Sequence, residues 1–126
     1  MDVQAYWDAV LRQDREAMRG HFARDARIRW PNTNEEFTLE EFLTANCDYP
    51  GRWAGEVERA EPGAEGPVTV ARVYDRDGSA SFHAVSFFRE RDGKIQSLVE
   101  YWGEDGPPPQ WRRERELGRP IGTGEA

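Results

Sequence analysis

Few of the residues that dictate chemistry by themselves occur in this chain. A single cysteine, Cys47, permits no internal disulfide. The two histidines, His21 and His83, stand far apart and give no metal-ligand spacing, so neither a metal centre nor an organic cofactor is expected. No apolar run approaches the roughly 18 residues of a membrane span. No basic stretch followed by an apolar one opens the chain, so a signal peptide is not expected and a cytoplasmic location follows as the default. Leu, Ile, Val and Phe number only 22 of 126 residues, low for a globular protein. Positive charge is also in deficit: 17 basic against 24 acidic residues give a net charge of -7. The two signs are interleaved, which argues against a nucleic-acid or anionic-membrane surface.

Against these absences stand 5 Trp and 4 Tyr, which supply large buried areas from few residues. Aromatics must build the core. A chain of this length fits one domain and buries roughly two-thirds of its unfolded surface.

The first half reads as helices. Val3, Tyr6, Trp7, Val10 and Leu11 form one apolar stripe of an amphipathic helix. Asp14 offers an N-cap for a second helix whose buried side carries Met18 and Phe22. ARIRWP then gives a short strand in which Ile28 and Trp30 alternate with arginines, stopped by Pro31 and the turn-rich NTN. TLEE at 38–41 is a capping box, with Phe37 placed to staple onto Phe42, so a third helix runs to about Asn46.

The second half changes period. Residues 56–61, 68–75, 81–90 and 94–103 are strand-like runs separated by Gly- and Asp-containing turns, and the short links make neighbours antiparallel. Helices followed by such a meander predict an α+β fold, a curved antiparallel sheet wrapped around three N-terminal helices. From Glu104 the chain is rich in Pro, Gly and charge. It reads as a domain over 1–113 and a polar tail over 114–126, with Trp111 as one anchoring residue.

One strand poses a question. In KIQSLVEYWG (94–103), Leu98, Glu100 and Trp102 share one face, and Ile95, Ser97, Val99 and Tyr101 the other. Both faces are largely apolar. Glu100 is therefore either an edge residue pointing at water or a carboxylate held inside a cavity.

The order of elements, together with FARDARIRWPN, TLEEFL, DGKIQSLVEYW and the following PQWR, resembles the nuclear transport factor 2-like (NTF2-like) superfamily and, within it, the SnoaL-like proteins, over roughly residues 3–113. The resemblance implies a cone: a strongly bent sheet closed by helices around a pocket open at one end, usually in a homodimer joined through the sheets' outer faces. Members include a ketosteroid isomerase, polyketide cyclases, a limonene epoxide hydrolase, a scytalone dehydratase and binding proteins, so it implies no single activity. It places Leu98, Glu100 and Trp102 on cavity positions, with His83, Val85 and Phe87 on the preceding strand, and Tyr6 where the isomerase keeps an oxyanion-donating tyrosine. The isomerase's base and second acid do not carry over, since Trp30 and Val85 stand there. The hydrolase's Asp-Arg-Asp set and the dehydratase's paired histidines find no match.

The resulting candidates are a polar set in an aromatic wall. Glu100, His83 and Tyr6 are the candidate catalytic residues, with Glu100 or His83 as base beside each other and Tyr6 as oxyanion donor. Trp30, Asn32, Asn46, Tyr49, Trp53, Phe87, Leu98 and Trp102 are the candidate ligand contacts. Cys47 has no adjacent base and sits at a helix C-terminal end, which argues against a nucleophile. His21 lies on a helix flank that reads as exposed and needs no function. Three classes stay open: a cofactor-free isomerase, cyclase or dehydratase; a non-catalytic small-molecule binder; and a structural dimer module. The density of Trp at lining positions favours an occupied pocket. An outward apolar patch of Tyr74, Ile95, Val99 and Tyr101 predicts a homodimer.

Overall fold

The computed structural model describes residues 1–122, so 123–126, the end of the expected tail, lie outside the described residues. The Asp2 carboxylate accepts from the Ala5 backbone N–H at 3.0 Å and starts helix α1 (Val3–Arg12). Its buried side is Tyr6, Trp7, Ala9 and Val10; of the predicted stripe Tyr6, Trp7 and Val10 are buried, while Val3 and Leu11 are half-buried. Gln13 ends it in the left-handed region at φ 54°, and Asp14 caps α2 (Arg15–Arg19) by accepting from Ala17.

Helix α2 is shorter than expected. It buries Met18, but Phe22 belongs to strand β1 (Phe22–Trp30), where it pairs with Ile95 and packs edge-on against Tyr6 and Phe42. The strand begins before the predicted ARIRWP because its pairing is irregular between Phe22 and Arg27, which hides the two-residue period. A 3-10 turn (Pro31–Thr33) follows, then an unpredicted edge strand β2 (Glu35–Thr38) that returns antiparallel to β1. Its sequence EEFT is mostly solvent-exposed, so it carries no apolar alternation to read. Helix α3 (Leu39–Cys47) has the predicted capping box between Thr38 and Glu41, and the staple partners Phe37 and Phe42 lie 6.4 Å apart.

Strands β3 (Trp53–Glu61), β4 (Val68–Asp75), β5 (Ser81–Arg91) and β6 (Lys94–Glu104) form the predicted antiparallel meander. The six-stranded sheet has the order β2-β1-β6-β5-β4-β3 and is open, with β2 and β3 as edges. It is mixed rather than wholly antiparallel: β1 runs parallel to β6, joined to it by everything between. Helices α1 and α3 cover one face and share a core with Ile28, Ala71, Ala84, Phe88, Ile95 and Leu98 of the sheet. Among the described residues no helix is long and apolar enough to cross a membrane. Helix α4 (Gln110–Glu114) buries nothing, and Trp111 is 57% exposed, so it does not anchor the tail to this chain as the sequence suggested.

Candidate functional site

A single extra residue decides which side chains face the helices. The hairpin from β5 to β6 starts with Arg91 opposite Lys94 and Glu90 opposite Ile95, yet the next pair is Arg89 with Ser97. Gln96 is bulged out. Every later pair is displaced by one, so Glu100 meets Ser86 and Trp102 meets Ala84. Residues opposite one another in an antiparallel pair share a face, so a one-residue slip exchanges the faces. The inner face therefore carries Phe82, Ala84, Ser86 and Phe88 beside Leu98, Glu100 and Trp102, and Ile95 before the bulge points inward too, at 0% exposure.

This corrects three expectations. His83, Val85 and Phe87 lie on the outer face, and Phe87 is 47% exposed, so it contacts no interior ligand. His83 is not beside Glu100. It is held between two carboxylates, Asp105 Oδ1 at 2.5 Å and Glu58 Oε1 at 3.0 Å, and the Asp105 hydrogen bond is the largest influence raising its pKa. Ile95 leaves the predicted outward patch.

A cavity of about 370 Å³ opens between the C-terminal ends of α1 and α3 and the inner sheet face. Its aromatic wall is Trp30, Tyr49, Trp53, Phe82 and Trp102; Val10, Leu11, Ala45 and Val73 add apolar surface. Trp102 packs edge-to-face on Trp30 at 6.3 Å and on Phe82 at 6.2 Å, while Tyr49 stacks on Trp53 at 5.2 Å. Polar side chains at the rim are committed to holding the elements together. Gln13 Nε2 donates to the carbonyls of Asn46 and Tyr49 at 2.8 and 2.7 Å, and Asn46 Nδ2 donates to the Val10 carbonyl at 3.1 Å. Asn32 Oδ1 accepts from the Trp102 backbone N–H at 2.9 Å, tying the 3-10 turn to β6. Gly51 allows the loop to reach Tyr49: at φ +134° a Cβ there would sit 2.8 Å from Trp53 Nε1.

Glu100 is only 2% exposed, so the strand that posed the question does point its carboxylate inward. It does not line the cavity. Trp30, which does, donates its indole N–H to Oε1 at 3.1 Å, and Ser86 donates its hydroxyl to Oε2 at 2.7 Å. No ion pair among the described residues involves it. Burial raises its pKa, opposed by the two hydrogen bonds. Tyr6 lies at 0% exposure, edge-on to Trp7, His21, Phe22 and Phe88, and its hydroxyl has no partner among the described residues. Burial first, and the charge of Glu100 second, raise its pKa well above that of a free tyrosine. On the neighbouring β4, Thr69 accepts from Trp7 Nε1 at 3.1 Å, completing an inner polar row of Thr69, Ser86, Glu100 and Trp30 across four strands.

Six of the eight predicted ligand contacts thus surround the cavity: Trp30, Asn32, Asn46, Tyr49, Trp53 and Trp102. Leu98 is wholly core, and Phe87 is outside. Of the predicted catalytic set, Glu100 and Tyr6 are buried behind the wall and His83 is on the far side of the sheet. Sequence reading missed Gln13 and Phe82. Phe82 was hidden by the bulge, and Gln13 by its position after the helical stripe had ended.

No protein-family model and no curated protein sequence matches the chain. Solved structures do. A candidate ketosteroid isomerase from Kribbella flavida is 24% identical, matches 96% of this chain and 88% of its own, and has a TM-score of 0.78. An NTF-2 like protein of unknown function from Burkholderia xenovorans is 21% identical over 95% of this chain and 92% of its own, with a TM-score of 0.76. A candidate SnoaL-like polyketide cyclase from Shewanella putrefaciens is 14% identical over 77% and 74%, with a TM-score of 0.61. The fold is NTF2-like, as the sequence motifs implied.

Proposed function

We propose that this chain binds an uncharged or weakly polar, apolar or aromatic small molecule in the cavity, without metal or organic cofactor and in the cytoplasm. One observation carries the reading: among the described residues no charged side chain lines a cavity whose wall holds three tryptophans, a tyrosine and a phenylalanine. Its volume of about 370 Å³ falls within the roughly 300–1,000 Å³ of small-molecule sites. A charged ligand would enter unpaired, at a cost that an apolar wall does not return.

Binding is favoured over catalysis because the interior carboxylate stands behind Trp30. Proton transfer by Glu100, the basis of the isomerase, cyclase or dehydratase alternative, would require the indole to leave its hydrogen bond. Tryptophan fluorescence tests the binding reading, since Trp30, Trp53 and Trp102 are three of the five tryptophans. Titration with neutral aromatic ketones should change emission saturably, and Trp102→Ala should weaken affinity by about tenfold, or ~1.4 kcal/mol. No saturable response from a varied panel would refute it. Glu100→Gln separates the alternatives: affinity should change by a small factor in a binder, whereas in an enzyme turnover should fall by about 10²–10⁴ with binding kept.

A further inference from the structure

Every residue from Gly103 to Gly122 is exposed, although this stretch carries Trp111, Leu117 and Ile121, at 57%, 52% and 107% exposure. Large apolar groups held clear of their own chain, Trp111 on helix α4 and Leu117 and Ile121 beyond it, mark a contact surface. The root is fixed on the outer side of the sheet. Asp105 receives the Ser81 hydroxyl at 2.6 Å and bonds His83 at 2.5 Å, and its backbone N–H donates to the Ser81 carbonyl. Pro107, Pro108 and Pro109 then stiffen the departure, extending it by roughly 9 Å at the 3.1 Å rise of such a run. Helix α4 is closed by Gln110 bonded to Glu114, and Leu117 N–H returns to the Arg112 carbonyl.

The same chain presents a surface of matching character. On the outer face, the pairing puts Val68, Phe87 and Val99 in one row and Val70, Val85 and Tyr101 in the next. Phe87 and Tyr101 are nearly half exposed and pack edge-to-face at 6.1 Å. Beyond these rows lie the carboxylates of Glu56, Glu58 and Asp105 around Arg72 and His83. The arm has the opposite charge. Residues 110–119 hold four arginines and two glutamates, net +2, which leaves -9 for the remainder of a chain of net -7.

We propose that residues 106–122 form an arm that docks a second copy of this chain, Trp111 and Leu117 covering the apolar rows of the partner's outer sheet face and the arginines meeting its glutamates. The exchange is reciprocal, so each copy gives an arm and receives one, as a closed two-fold interface requires. The arm does not fold back on its own sheet: Phe87 and Tyr101 stay open, and every residue of the arm is exposed. The homodimer expected from the sequence would join the outer sheet faces directly, whereas in this dimer the arm of one copy lies over those rows of the other. The arm adds a basic, tryptophan-bearing clasp that makes the dimer dependent on residues outside the sheet.

Sedimentation of the full chain, of a chain ending at Asp105 and of Trp111→Ala tests the clasp. The full chain should run at twice the 14.5 kDa protomer mass at micromolar concentration. Both variants should dissociate at least tenfold more readily, with the cooperative thermal unfolding of the domain kept, because the arm buries nothing in its own chain. Added salt should weaken the full chain's dimer more than that of a variant with Arg112, Arg113 and Arg115 replaced by glutamine. Hydrogen exchange of residues 110–119 should slow as concentration rises through the dimerisation range. A monomeric full chain would overturn the proposal. So would truncated and Trp111→Ala chains that dimerise with full affinity, or an arm that exchanges freely at every concentration, as expected of one reserved for a different partner.

Discussion

The inner and outer faces of β5 and β6 are built from alternating residues of the same two strands, yet they handle charge in opposite ways. Inside, Glu100 is surrounded by apolar groups and satisfied by two neutral donors, Trp30 and Ser86. Outside, His83 is half exposed and sits between two anions, Asp105 and Glu58. Both pKa values are raised, one chiefly by burial and the other chiefly by a hydrogen-bonded carboxylate. Direction alone therefore says little about role. Neutral donors let the inner face hold a carboxylate without any cation in the cavity wall among the described residues, the observation on which the proposed uncharged ligand rests. The outer face keeps its charges at the border of an apolar patch, an arrangement suited to a partner surface.

The contrast breaks most severely in the register of β6. Inserting one residue between Leu98 and Val99 turns Glu100 and Trp102 to the other face against the wrong partners, so the cost should approach the roughly 5–15 kcal/mol stability of a domain this size. Circular dichroism should report no cooperative unfolding; a native-like melt would show that the pairing register does not set the faces. Next comes a paired test of the two titratable groups. Glu100→Ala leaves the Trp30 and Ser86 donors buried without partners, and thermal melting should show a loss of about 2–4 kcal/mol. His83→Ala should lose less than ~1 kcal/mol, since its ion pairs are solvated. Equal losses would erase the distinction drawn between the faces. Gly51→Ala should destabilise by about 2 kcal/mol through its backbone conformation and shift the Trp53 fluorescence; unchanged emission would mean the loop does not position that ring.

The smallest effect is the pH dependence of His83. A folded pKa above the usual 6.5 means that the native state holds the proton more tightly. The stabilisation is complete below about pH 6.5, provided Asp105 and Glu58 remain ionised, and is lost as pH rises through the folded value. Wild type and His83→Gln should therefore differ more in melting temperature at about pH 5.5 than at about pH 9. A gap that widens with pH would reverse the assignment.

What the sequence by itself determined was local. The stripe of α1, the capping box of α3 and the meander follow from spacing, because side-chain periods and caps act over a few residues; spacing left Glu100 between water and the interior, and the family resemblance placed it inward. The family motifs likewise led to the NTF2-like fold. Edge strand β2, the parallel pairing of β1 with β6 and the face of β5 were decided by tertiary structure. An exposed edge strand needs no apolar pattern, and a parallel pair joins segments that local periodicity cannot connect. A bulge exchanges the faces of a strand without altering the strand's own alternation, so Phe82 and Phe87 look equally fit for the interior until the partner strand shows which one is there.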